Sequence, residues 1–135
     1  MIKMEEIIFI VRTPEGEFIK KILIPNHCGS SFFYFPDEPY TEIPEFSKNF
    51  VIGSAGVNYT ENDKPKTQQV ILRYDEAHKG FPFPHVNVDW GYTKEKKPVR
   101  TRETIAHLKD PNWIEITMLN KETSEKKTKK VSLKN

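Results

Sequence analysis

Disulfide chemistry is the first thing this chain lacks. Its 135 residues hold one cysteine, Cys28, so no internal bridge can staple the fold, and a lone thiol fits a reducing compartment. Long apolar runs are missing too. None approaches the roughly 20 residues that a membrane helix needs, which sets aside a membrane partner. The N-terminal stretch MIKMEEIIFIV has neither a sustained apolar region nor a small-residue cleavage site and does not read as a secretory signal. The cytosol is the expected location. Glycines are few, and Gly53 and Gly56 are not followed by Gly-Lys-Ser/Thr, which excludes a phosphate-cradling loop. No HExxH or comparable compact ligand motif occurs, so no metal and no cofactor is expected. A set of His78, His85 and one of Asp75 or Asp89 is the only arrangement with donors suited to zinc or manganese.

Hydrophobic residues reach only 36%, below the usual level. Sixteen aromatics, nine of them Phe, offset this because each buries a large area. One domain spanning 1–135 is expected, large enough for a real core and too short for two ordinary ones. The net charge of +2 hides an asymmetry: residues 1–93 carry 9 basic against 13 acidic side chains, residues 94–135 carry 12 against 6. A basic C-terminal third beside an acidic remainder points to an anionic partner, or to a solvated, solubilising tail.

Along the chain, 6–13 (EIIFIVRT) and 17–25 (EFIKKILIP) are β-branched runs joined by Pro14-Glu15-Gly16, the pattern of a β-hairpin. The first run is apolar on nearly both faces, as a central strand would be. Prolines 25, 36, 39 and 44 break regular structure over 26–48, where Phe32-Phe33-Tyr34-Phe35 reads as a core plug or short strand. Residues 49–57 form a strand that Gly53 and Gly56 mark for a bulge or a close backbone approach, and 58–66 read as a polar turn. Thr101 can cap a short helix over about 102–109, with Ile105 and Leu108 inward and Asp110-Pro111 closing it. Residues 113–120 alternate as a strand, and 129–134 supply a last one. Trp113 is expected in the core. The expected class is therefore α+β: a twisted antiparallel sheet of about six or seven strands with one short helix.

Chemistry gathers in residues 67–92, TQQVILRYDEAHKGFPFPHVNVDWGY. In a strand, side chains alternate faces. Val70, Leu72 and Tyr74 point one way, Ile71, Arg73 and Asp75 the other. Val86, Val88 and Trp90 share one face, and His85, Asn87 and Asp89 share its opposite. If the two runs pair through 76–84, Arg73, His85, Asn87 and Asp89 form one polar patch. The proline-stiffened loop would hold His78 and Lys79 above it. Two histidines supply a general acid and a general base near neutral pH, and Arg73 and Lys79 would stabilise a developing phosphorane charge. Tyr92, Lys96, Lys97, Arg100 and Arg102 follow as a strand-tracking basic surface suited to RNA. His27-Cys28 puts a thiol beside an imidazole, but neighbours in an extended segment point apart.

The spacing of Arg73, Tyr74, Asp75, His78, His85 and Asn87 resembles that of small bacterial ribonuclease-type toxins, the TumE-like group and polymorphic-toxin families among them. There a strand ending in Arg-Tyr-Asp leads through a His-containing loop to His-x-His. The chain departs from that pattern at Asn87, where the second histidine would stand. The resemblance implies metal-independent RNA cleavage in the cytosol, checked by a cognate antitoxin or immunity protein. In that role His78 and His85 serve as acid and base, Arg73 and Asp75 assist, and Lys79, Asn87, Asp89, Tyr92, Lys96, Lys97, Arg100 and Arg102 hold substrate. The alternative is a non-catalytic binding protein of the immunity, antitoxin or phage accessory kind, acting through protein contacts.

Overall fold

The first hairpin forms where the residues place it. A computed structural model describes residues 3–26, 28–37, 49–76, 83–90 and 101–133, with the side chains of Asn49 and Thr101 left aside. It contains nine strands: β1 Met4–Thr13, β2 Gly16–Pro25, β3 Ser30–Tyr34, β4 Asn49–Glu61, β5 Lys64–Asp75, β6 His85–Trp90, β7 Thr101–His107, β8 Trp113–Asn120 and β9 Lys126–Ser132. All pair antiparallel, in a four-stranded sheet of order β2-β1-β8-β9 and a five-stranded sheet of order β3-β4-β5-β6-β7. The expected α+β class is thereby corrected to all-β, since no helix occurs among the described residues. Consequently none of them forms a helix long and apolar enough to cross a membrane.

Alternation explains how the two sheets meet. Ile7, Phe9 and Val11 of β1, Ile114, Ile116 and Met118 of β8, and Leu72, Val86 and Val88 of the other sheet belong to one buried cluster. Each sheet thus turns one apolar face to the other, as in a β-sandwich. β1 lies between β2 and β8, the central position its two apolar faces predict. Phe33 of β3 is buried in the same cluster and Phe35 packs against it, so the aromatic run is both a short strand and a core element.

Three local expectations change. The segment 102–109 is mostly strand, lying within β7 up to His107, and not a helix. Its Ile105 and Leu108 look helical in spacing only because a bulge interrupts the strand: Val86 pairs with Ala106, but the next β6 residue, Asn87, pairs with Thr104. One extra residue hides the period of two. An eight-residue helix is weak on its own, whereas the free edge of β6 offers a full ladder of hydrogen bonds. Second, 58–66 is mostly strand: β4 and β5 run on to a two-residue turn at Asn62 and Asp63, both left-handed at φ 52° and 61°. That is the backbone of a tight hairpin turn of the primed kind. Third, Trp113 lies outside the core, on the outer face of the four-stranded sheet, with Lys130 Nζ 4.4 Å from its ring centre.

The glycines of β4 have defined work. The register shift between Val51 and Gly53 is a bulge, and a Cβ at Gly56 would come within 2.9 Å of the Phe32 ring. Tyr74, at the far end of β5, is buried. Burial, and then the carboxylates of Glu76, Asp110 and Glu15, push its phenol up to about 12. Its folded value lies above the ordinary 10.0. The stability it contributes is therefore complete below pH 10 and is lost as pH rises through about 12. An alkaline ultraviolet titration is expected to show one phenol ionising last, a step missing from Tyr74→Phe. A wild-type curve in which all tyrosines titrate together would refute this.

Candidate functional site

Arg73, Asp75, His85, Asn87 and Asp89 meet on the face of β5, β6 and β7 that points away from the shared core. The register places Asp75 opposite His85, Arg73 opposite Asn87, and Ile71 opposite Asp89. On the far side, His85 faces His107, Asn87 faces Thr104 and Asp89 faces Arg102. Directly opposed side chains share a face, and diagonal neighbours stay within reach of long side chains.

Two linked networks result. In the first, Arg73 Nε donates to Asp89 Oδ2 at 2.8 Å. Arg102 donates from Nε to Asp89 Oδ1 at 2.8 Å and from Nη2 to Oδ2 at 2.9 Å. Asp89 is therefore clamped by two guanidinium groups. Burial alone would push its carboxyl up, but the hydrogen bonds from Arg102 and Arg73, with their charges, outweigh it and hold the group below the usual carboxylate range. The same contact to Asp89 raises the Arg102 guanidinium above its ordinary value. In the second network, His85 Nε2 lies 2.7 Å from Asp75 Oδ2, which also accepts a hydrogen bond from Asn87 Nδ2 at 2.8 Å. Thr104 Oγ1 completes it by donating to Asn87 Oδ1 at 2.7 Å. The other ring nitrogen of His85 lies 3.3 Å from the Phe83 carbonyl oxygen.

Five of these groups are buried, while Arg102 and Thr104 are exposed. Arg73 is 1% exposed, Asn87 2%, His85 and Asp89 3% and Asp75 7%. Sequence reasoning placed Arg73, His85, Asn87 and Asp89 together correctly, because alternation along paired strands requires it. It did not include Thr104 and His107, whose ring centre lies 6.3 Å from that of His85. The helical spacing expected over 102–109 does not bring them together; the pairing of β7 with β6 does. Arg102, expected in the basic grip on RNA, holds Asp89 from a side chain that is 46% exposed. His78, Lys79, Tyr92, Lys96, Lys97 and Arg100 lie outside the described residues, as do His27 and residues 38–48. Cys28 is exposed in the turn after β2.

The arrangement is chemically self-contained. Charge on Arg73 is met by Asp89, and the His85 ring is held on both sides by acceptors. Among the described residues, no group of three His, Cys, Asp or Glu side chains is placed to hold a metal ion. A set that includes His78 falls outside that statement. Comparison of the chain with protein-family models, curated proteins and solved structures finds no match.

Proposed function

We propose that the chain is a non-catalytic binding protein, a β-domain that acts through protein contacts in the manner of an immunity, antitoxin or phage accessory protein. The observation that carries this reading is the condition of its best catalytic candidates. His85, Asp75 and Arg73 are each under 10% exposed and are engaged with neighbouring groups, so none presents a polar atom to a substrate. A general base must come within hydrogen-bond reach of the proton it takes. A fully satisfied buried network instead rigidifies a fold and fixes its strand register.

RNA cleavage is the second reading, and one contact favours it. Asp75 against His85 is the pairing that orients an imidazole for proton transfer, with His78 then acting as its counterpart. One experiment separates the two. Purified wild-type chain and His85→Ala are incubated with labelled single-stranded RNA without added metal, and intact substrate is followed over time. The binding reading expects both to leave the RNA at the level of a buffer control. Cleavage by wild type that His85→Ala abolishes, at an unchanged melting temperature, would establish the ribonuclease instead.

A further inference from the structure

The outer face of the four-stranded sheet is laid out as a docking site, and its registers give the pattern. One row across the strands reads Lys21, Ile8, Leu119, Lys126, and the next reads Ile19, Ile10, Thr117, Thr128. The row beyond is Glu17, Arg12, Glu115, Lys130. A sheet with one solvated face ordinarily alternates polar residues outward. Here Ile8, Ile10 and Leu119 on the two inner strands are partly exposed, and Ile19 beside them on the edge strand β2 is 57% exposed.

The charges around this patch are unequally engaged. Its strand carboxylates are neutralised locally: Glu17 and Glu115 lie 3.8 and 3.1 Å from Arg12, and Glu6 lies 3.6 Å from Lys121. Lys130 covers Trp113. Lys21 and Lys126 form no ion pair among the described residues. Among the described residues the face therefore offers an apolar centre bordered by two lysines that meet no carboxylate. Three strand spacings separate those lysine columns, roughly 14 Å. An α-helix about 10–12 Å across fits between them along the strand direction.

We propose that this face binds an amphipathic helix of another protein whose apolar stripe is bordered by aspartate or glutamate, with Lys21 and Lys126 meeting the two acidic borders. The proposal rests on the reading of the chain as a binding protein and names the partner's chemistry. A second copy stacked about a two-fold axis along the strands would set Lys21 of one copy against Lys126 of the other.

The test uses two synthetic helical peptides with the same leucine stripe, one flanked by glutamate and one by lysine. Binding to the full chain is followed by fluorescence anisotropy and by the methyl resonances of Ile8, Ile10, Ile19 and Leu119. The acidic peptide is expected to bind at least about tenfold more tightly, with shifts centred on those methyls. Lys21→Glu combined with Lys126→Glu changes only exposed positions, and circular dichroism confirms its fold. It is expected to invert the preference. Equal affinity for both peptides, binding of neither, or shifts confined to other residues would overturn the proposal. So would tighter binding of anionic phospholipid vesicles, or self-association that Ile19→Lys abolishes. Acidic-peptide binding by a protein that also cleaves RNA would remove the non-catalytic reading and keep the docking face. Absence of binding in a protein that leaves RNA intact would remove the docking face alone.

Discussion

Replacing Asp89 with alanine is expected to lower the stability of the fold by about 3–5 kcal/mol, the cost of breaking a buried ion pair by removing one partner. The substitution leaves Arg73 at 1% exposure without the carboxylate that faces it at 2.8 Å. Its planar group cannot shed its proton to relieve the loss. Domains of this size are stable by only about 5–15 kcal/mol, so the variant should unfold at much lower urea. Arg102 contributes less to this cost, because its side chain is 46% exposed and water can solvate it. The double substitution Arg73→Met with Asp89→Leu removes both charges and should recover most of the loss, as apolar replacement of buried pairs often does.

The same carboxylate sets a pH dependence whose sign follows from its lowered folded value. An acid held below its ordinary value of 3.8 contributes stability that is complete above that value. The contribution is lost as pH falls through the lower folded one. Wild type should therefore lose stability as pH drops below about 4, and Asp89→Asn should lack that component of the loss. Urea midpoints measured from neutral to acid pH for the three variants decide the matter. A loss under about 1 kcal/mol for Asp89→Ala at neutral pH would mean that another group or solvent meets the Arg73 charge in its place.

Phe9→Ala is expected to cost a similar amount, about 3–5 kcal/mol, for a different reason. Phe9 is 0% exposed in the middle strand of its sheet, between Lys20 on β2 and Met118 on β8 in register. Truncation removes the transfer free energy of a ring and leaves a cavity that the two flanking sheets cannot close. Ile10→Ala, one residue on and facing outward, should cost much less, since its side chain is already partly in water. Equal losses at the two positions would show that something covers the outer face of that sheet. That result would bear directly on the docking proposal.

Several features were legible from residue order because they depend on a period of two and on short turns. The first hairpin, the central place of β1, the strands over 113–120 and 49–57, and the shared face of Arg73, His85, Asn87 and Asp89 all follow from alternation. Expectations failed where a local rule met a tertiary one. The bulge opposite Val86 and Asn87 made the spacing of Ile105 and Leu108 mimic a helix. The polar ends of β4 and β5 read as a turn because Lys64, Lys66 and Thr67 carry no apolar signal of their own. They form strand by pairing with Glu61, Tyr59 and Asn58.

Residue order by itself therefore determined which side chains share a face of a strand, since the backbone sends successive side chains to opposite sides whatever surrounds them. It did not determine which face would be dry. The Arg73 and His85 face has the composition of a solvated patch and is buried; the Ile8, Ile10 and Ile19 face has the composition of a core and meets water. Only tertiary packing decided this, because a strand by itself does not say what covers either of its faces. Burial depends on what packs over a surface, while alternation depends on the strand alone.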